Sequence, residues 1–401
     1  SCQESFQFCN TQDHGNLLKV LQGWTEGMRQ LTLKDEEGVK EAYRENLIFF
    51  ARTALSGWLY RAHVCLKAIQ QFQPKTVYVV EGPLRIEQSP LTEASERYLA
   101  DIVGQIKGIA LGQISSSLEP SAQSGPSFFT SFLQSIVASW NVWTMKRSGK
   151  KTIMGLVNSH NMDLLLRDLS KSLDPDYQCV FLGNRKKGTA VQTIWQDMVG
   201  KELAYRYLYY PFNQPVKLSP MFAIGLSQLK ECFAQLAKTW NYQRIQPANW
   251  IVNKYNDAFE QTVIKLSYYQ SKTVSKLWKD HKPWLVVSQH ARGLTAVAGE
   301  LARIYHIPSL IVPHGSFTPL RNSQAALEWR ENALGIINTS YDYVALQTPL
   351  SEEFLKDISY QSKPLITGPL IIGRPVSHNQ IQDDLKKKLA PQGERIILHA
   401  S

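Results

Sequence analysis

Two histidine-containing segments carry the strongest chemical signal in the sequence. They are Ser288-Gln289-His290-Ala291-Arg292-Gly293 and Val312-Pro313-His314-Gly315-Ser316. Each follows a short apolar run typical of a strand, and the first opens an amphipathic helix. Helix N-termini bind anions through unpaired N–H groups, arginine can make two contacts to a phosphate, and histidine titrates near neutral pH. Unless these polar residues only cap helices, we predict an anion site built from Ser288, Gln289, His290, Arg292, His314, Gly315 and Ser316.

Two further strand ends carry residues that could take part in binding or catalysis. Gly368 follows the apolar run Pro364–Thr367 and could form another edge of the same pocket, or a simple turn. Glu81 ends the first apolar run and lies close to Arg85 in the sequence. A carboxylate there could act as a general base or bind sugar hydroxyls, and a surface ion pair is the alternative.

A third group of polar residues follows strands in the first half of the chain. Such residues could bind a polar acceptor such as a sugar, or could simply be solvated strand ends. The candidates are Asn158, His160 and Arg185.

The elements that must position these residues alternate between strand and helix. Alternation of this kind is typical of parallel sheets with helices on both faces. Helical spacing covers Glu41–Phe72 and residues 221–282, with a break at Gln246-Pro247. We therefore predict an α/β fold with a helical N-terminal segment and two Rossmann-like domains, 1–215 and 216–401. The predicted strands are Thr76–Val80, Thr152–Val157, Cys179–Leu182, Trp284–Ser288, Ser309–Val312, Tyr343–Leu346, Pro364–Thr367 and Ile396–His399.

Composition limits the classes of partner. The 401 residues are 43% hydrophobic, which argues against disorder, and carry a net charge of +10, which favours an anionic partner. Because the basic residues are spread along the chain, nucleic acid is not expected. The sequence has no long apolar run that predicts a transmembrane helix and no secretory signal at its start.

The sequence offers little evidence of disulfide bonds or of a metal site. The five cysteines are odd in number and lack metal-ligand spacing, so we expect free thiols in a reducing cytoplasm. Asp174-Pro175-Asp176 is typical of a turn rather than of a metal site. No P-loop, dinucleotide-binding or hydrolase-elbow motif occurs, and no metal is expected.

Several short motifs in residues 284–401 resemble those of GT-B glycosyltransferases and of the nucleotide-sugar 2-epimerases that share their architecture. They cover about a third of the chain. The motifs are Val312-Pro313-His314-Gly315, Tyr343-Val344-Ala345-Leu346-Gln347-Thr348-Pro349, Ile366-Thr367-Gly368-Pro369 and Ile396-Ile397-Leu398-His399-Ala400-Ser401.

A motif near the first strand narrows this resemblance. Glu81-Gly82-Pro83-Leu84-Arg85 is similar to an acidic-Gly-x-x-Arg element of the retaining β-Kdo transferases of bacterial surface-polysaccharide assembly. The resemblance implies CMP-Kdo as the donor, without metal or other cofactor, and a glycan acceptor on a lipid carrier in O-antigen or capsule synthesis. It places the acceptor side in residues 1–215 and the donor side in 216–401, at the cytoplasmic face with peripheral contact to the inner membrane.

Retention implies a covalent glycosyl-enzyme intermediate. The resemblance implies an aspartate nucleophile, which we look for in the helical stretch Ser227–Ala237. Cys232 is the residue we single out there, with Glu231 as the alternative carboxylate. A thiolate could attack the anomeric carbon, but the resulting thioglycoside would break slowly. The competing interpretation of Cys232 is a small buried hydrophobic residue on a helix.

Other interpretations stay open at the level of sequence. If residues 284–401 match the end of a first GT-B half, the donor-binding half is not part of this sequence. A UDP-HexNAc 2-epimerase-like enzyme would need no acceptor. A non-catalytic module would bind glycan or an assembly complex without turnover.

Overall fold

In the computed structural model of the protein, helices pack on sheets of parallel strands. None of the described helices is both long enough and apolar enough to cross a membrane. The structure describes residues 8–33, 36–81, 95–115, 147–156, 160–183, 206–209, 217–313, 317–337, 339–358 and 360–368, and the single residues 139, 143, 145 and 315.

Ten α-helices and one π-helix occur in this described part of the chain. The π-helix is Tyr255–Lys265 and continues directly into the α-helix Leu266–Asp280. The α-helices are α1 Thr11–Met28, α2 Lys40–Phe72, α3 Ser95–Gly104, α4 His160–Ser172, α5 Pro220–Ala237, α6 Ala248–Lys254, α7 Leu266–Asp280, α8 Leu294–Ile304, α9 Ser323–Ala333 and α10 Pro349–Lys356.

Nine strands occur in the same ranges, and all of their pairings are parallel. β1 pairs with β2 in a sheet of two strands, and the other seven strands form one sheet in the order β5-β4-β3-β6-β7-β8-β9. The strands are β1 Thr76–Glu81, β2 Ala110–Ser115, β3 Lys151–Gly155, β4 Tyr177–Gly183, β5 Arg206–Tyr209, β6 Leu285–Ser288, β7 Ser309–Ile311, β8 Tyr343–Leu346 and β9 Lys363–Ile366.

Four of the described α-helices begin at a residue whose side chain caps them. In α1, the Asn10 side chain accepts from the Asp13 N–H group and the Asp13 carboxylate accepts from the Asn10 N–H group, which is a reciprocal capping box. Ser219 caps α5 and Thr348 caps α10, and each is followed by a proline at the first helical position. These local signals explain why the chain turns into a helix at those points.

Alternate residues of the large sheet point to opposite faces, and both faces are buried in the central strands, whereas the edge strand β9 is largely exposed. Met154, Val180 and Val286 belong to the main core, which also takes in most of the helices. Ile153 and Phe181 lie on the other face, in a smaller cluster with Met162 and Leu166 of α4. A parallel sheet covered on both sides requires apolar side chains in both directions, which accounts for the near-continuous hydrophobic strands.

The helix α2 connects the N-terminal part of the chain to the rest of the core. Its 33 residues bury a long face that includes Leu47, Leu55, Trp58 and Leu59. α2 packs against α1, α8 and the π-helix. The π-helix itself buries Tyr255 and Phe259, with the Tyr255 ring stacked on Phe233 of α5. This helical layer covers the sheet face that carries Met154 and Val286.

The prediction of an α/β chain with parallel sheets is confirmed, whereas the arrangement of two Rossmann-like domains is not. β3, β4 and β5 come from residues 1–215 and β6 to β9 come from residues 216–401, yet all seven strands share one sheet. The sheet therefore crosses the expected boundary. Local patterns locate strands but carry no information on which strands pair. The predicted strand Ile396–His399 lies outside the described residues.

Candidate functional site

The order of the large sheet defines where a ligand is expected. From β3 the chain adds β4 and β5 on one side, and it then returns to place β6 on the other side of β3 and continues outward to β9. The topological switch point therefore lies between β3 and β6, which are joined beyond their ladder by the Leu156 N–H group donating to Val287 O at 3.0 Å. In such sheets the crevice outside the carboxyl ends of these two strands is the usual ligand site.

The turn that follows β6 borders this crevice and is held by its own side chains. Ser288 Oγ donates to His290 O at 2.7 Å. The Arg292 N–H group donates to Thr295 Oγ1 at 2.9 Å, and Thr295 Oγ1 also lies 3.1 Å from His290 Nδ1. Ser288 and Gln289 are buried and His290 is half-buried. The hydroxyl groups of Ser288 and Thr295 therefore fix the backbone of the turn that carries the His290 imidazole.

The start of α8 is occupied by a side chain that the sequence did not point to. The Gly293 N–H group donates to Asn46 Oδ1 at 2.7 Å, and Asn46 Nδ2 donates to Gly293 O at 3.2 Å and to Ser267 Oγ at 3.0 Å. Asn46 is 1% exposed. We expected an anion at the Gly293 N–H group, but this group already donates to the side-chain amide of Asn46 from α2.

The Arg292 side chain faces α2. Its Cζ atom lies 4.0 Å from the centroid of the Phe49 ring, and its Nη2 atom donates to Leu334 O at 3.3 Å. Burial, and secondarily the positive charge of Arg52, lower the pKa of Arg292 to about 10. Arg292 is therefore held between α2 and the segment after α9.

The second predicted segment is only partly described. β7 lies directly beside β6, with Ile311 opposite Ser288, so the two segments follow neighbouring strands as expected. His314 and Ser316 lie outside the described residues, whereas Gly315 is described. The buried Gln347 donates from Nε2 to Pro313 O at 2.5 Å and contacts Gly315 O at 3.5 Å.

Gln347 is thus a positioning residue that the sequence analysis did not select. The available signal was its place as the first polar residue after the strand β8, inside the motif that resembles GT-B enzymes. Gly368 lies just beyond the end of the neighbouring β9, where the Thr367 N–H group donates to Leu346 O at 3.0 Å. Its φ of +70° lies in the region that favours glycine. Gly368 and Gln347 therefore lie at the same edge of the sheet.

Four further predicted site residues have no described side chain. Glu81 is the last residue of β1 and His160 is the first residue of α4, and only their backbone positions are described. Asn158 and Arg185 lie outside the described residues. Their proposed roles stay predictions.

Cys232 and Glu231 lie on the exposed side of α5. The opposite side of α5 buries Phe222, Leu229 and Phe233, and the helix packs against α1 and α6. The interpretation of Cys232 as a small buried residue is therefore wrong, because solvent reaches it. The nucleophile assignment itself stays a prediction.

The remaining described cysteines are less accessible. Cys9, Cys65, Cys179 and Cys232 are all free thiols, as expected, and Cys2 lies outside the described residues. Burial raises the pKa of Cys179 to about 12 and also raises the pKa of Cys65. Within the described ranges no three His, Cys, Asp or Glu side chains form a group that could hold a metal ion.

Comparison with protein families and with curated sequences adds no relative from which a function could be carried over. No protein-family model matches the sequence, and no curated protein sequence matches it either. The class that the structure itself defines is a doubly wound parallel α/β fold with a helical N-terminal layer.

Proposed function

We propose that the protein is a retaining glycosyltransferase that moves an acidic sugar, Kdo, from CMP-Kdo to a lipid-linked glycan in O-antigen or capsule assembly. The observation that carries the proposal is the sheet order β5-β4-β3-β6-β7-β8-β9, with its switch point beside the His290 turn. Nucleotide ligands of doubly wound sheets bind at that point. Three of the short motifs that resemble GT-B enzymes, those beginning at Val312, Tyr343 and Ile366, fall at the ends of β7, β8 and β9 at the same edge.

The proposed donor contacts follow from charge. CMP-Kdo carries a phosphodiester and a carboxylate, and the chain carries a net charge of +10. His290, with His314, Gly315 and Ser316, would contact the phosphate, while Asn158, His160 and Arg185 would contact the acceptor. The same net charge favours peripheral contact with an anionic inner-membrane surface at its cytoplasmic face.

The proposed reaction has two displacements. The nucleophile, Cys232 or Glu231, attacks the anomeric carbon while the bond from that carbon to the phosphate oxygen breaks and CMP leaves. An acceptor hydroxyl then attacks the same carbon, the bond to the enzyme breaks, and the hydroxyl proton passes to a base, for which Glu81 is the candidate. Because Cys232 is exposed, its thiol is accessible for the first step. If it reacts as a thiolate, the second step is slow and the adduct accumulates.

The mass of the intact protein after incubation with CMP-Kdo tests this proposal most fully. The proposal expects a covalent addition of one Kdo unit that is absent from Cys232→Ser if the thiol is the nucleophile, or from Glu231→Gln if the carboxylate is. Free CMP should appear in equal amount. The absence of both adduct and CMP in the wild type would contradict the transferase proposal.

One structural observation favours a second candidate, a non-catalytic glycan-binding or assembly module. The Gly293 N–H group donates to Asn46, and the Arg292 guanidinium lies over the Phe49 ring. Two of the groups that we expected to contact an anion are therefore bound to other residues of the protein. Thermal shift with CMP, UDP, GDP and CDP separates the candidates, because a bound ligand stabilises the folded state. CMP alone should raise the Tm. UDP alone would favour the 2-epimerase-like alternative, and no shift would favour the non-catalytic module.

A further inference from the structure

A long groove follows α8 on the side that faces α2. Its volume is about 1140 Å³, and its lining includes Ala291 before α8, Ala296 and Glu300 within it, and His306 beyond it. The 11 residues of α8 span about 16 Å along the helix axis. The groove therefore starts beside the turn that carries His290 and leads to the amino edge of the sheet, and this elongated shape suits a chain-like ligand.

Four carboxylates among the described lining residues are already engaged within the protein. Glu41 and Glu45 both face Arg44. The buried Glu300 accepts from the Ala42 N–H group at 2.7 Å, and Asp342 accepts from the N–H group and hydroxyl of Ser309 at 3.0 Å each. All four carboxylates are thus engaged by hydrogen bonds or ion pairs within the protein.

The basic residues that line the groove are more accessible. Lys40 in the first turn of α2 and Lys363 at the start of β9 are exposed, and the Arg303 side chain is 60% exposed although it pairs with Glu300. Burial raises the pKa of Glu300 to about 7, so near neutral pH it offsets the Arg303 charge only in part. The walls of the groove are therefore complementary to an anionic ligand.

Two tyrosines add surfaces that suit sugars. Tyr343 and Tyr360 line the groove near Lys363, and Tyr360 is 43% exposed. An exposed aromatic ring offers an apolar face to a sugar ring while its hydroxyl group stays solvated. Basic and aromatic side chains side by side select for a ligand that is both carbohydrate and acidic.

We propose that the groove along α8 binds an acidic oligosaccharide, which would be the glycan chain extending away from the site of sugar transfer. The identity of this ligand as an acceptor glycan rests on the proposed function, whereas its binding in the groove can be measured without any turnover.

Calorimetric titration with hexagalacturonate, an acidic oligosaccharide, tests the proposal, with neutral maltohexaose as the matched ligand. Lys363→Glu and Tyr360→Ala should each weaken hexagalacturonate binding by about tenfold or more. Lys276→Glu is the matched control, because it makes the same charge change at an exposed position of α7 outside the groove. This control should bind within about twofold of the wild type.

Equal binding by the wild type and both groove variants would overturn the proposal, as would equal binding of maltohexaose or no binding of hexagalacturonate. The proposed transferase activity is judged separately from the Kdo adduct and released CMP. Adduct formation without hexagalacturonate binding would reject only the groove. Binding in the groove without any adduct or CMP would reject only the transferase.

Discussion

At the scale of single residues, Asn46 decides what the start of α8 can bind. Its amide makes three hydrogen bonds across the interface between α2, α7 and the Gly293 turn, and it is buried. A buried amide of this kind stabilises the turn because its partners would otherwise be unsatisfied.

Asn46→Ala should lower the free energy of unfolding by about 2 to 3 kcal/mol, because the Gly293 N–H group and carbonyl lose their buried partner. Urea denaturation measures the difference. Asn253→Ala makes the same change at an exposed position of α6 and should leave stability within about 0.5 kcal/mol. Equal effects of the two substitutions would show that Asn46 does not hold the turn.

Glu300 makes stability depend on pH. Burial raises its pKa from 4.5 to about 7, although the Ala42 N–H group and Arg303 act in the opposite direction. The folded state therefore binds the proton more tightly than the unfolded state. This contribution to stability is fully present below about pH 4.5 and is lost as the pH rises through about 7.

Glu300→Gln removes this titration. Between pH 4.5 and pH 8, the free energy of unfolding of the wild type should fall by up to about 3 kcal/mol relative to that of E300Q. Urea denaturation across this range provides the measurement, with the exposed Glu353→Gln as the control. A constant difference between wild type and E300Q at all pH values would contradict the account of Glu300.

At the scale of elements, the link between β6 and α8 depends on one glycine conformation. Gly293 has φ +60° and ψ −128°, a combination that residues with a Cβ rarely adopt. Nothing lies within 4 Å of where its Cβ would be, so backbone conformation rather than space requires glycine there. This conformation turns the chain from the end of β6 into the axis of α8.

Gly293→Ala should therefore destabilise the protein by about 1 to 3 kcal/mol. Gly23 in α1 offers a matched comparison, because a Cβ there also meets nothing within 4 Å while the backbone is helical. Gly23→Ala should stabilise by about 0.5 to 1 kcal/mol. The two melting temperatures should shift in opposite directions, and a shift in the same direction would refute this explanation.

At the scale of the whole molecule, the positions of strands could be predicted from the sequence, whereas their order in the sheet could not. Alternating strand and helix patterns placed β8 at Tyr343–Leu346, as observed, and β4 and β6 to within a few residues. They did not reveal that β3 pairs with β6 across more than a hundred residues of intervening chain. Pairing depends on tertiary packing, which local periodicity does not encode.

In the candidate site, too, local positions could be predicted from the sequence and long-range contacts could not. The positions of Ser288, His290 and Gly315 at strand ends followed from local pattern. The contact of Asn46 with Gly293 joins residues 247 positions apart, and that of Gln347 with Pro313 joins residues 34 positions apart. The first contact depends on how α2 packs against α8, and the second depends on the pairing of β8 beside β7.

The proposed function requires a nucleotide to bind at the carboxyl edge between β3 and β6. Calorimetric titration of CMP into the wild type, His290→Ala and the control His14→Ala tests this most directly, because the His14 side chain lies in α1 and is 45% exposed. We expect CMP to bind the wild type and His14→Ala with the same Kd and His290→Ala at least about tenfold more weakly. Equal affinity in all three proteins, or no CMP binding to the wild type, would contradict the account.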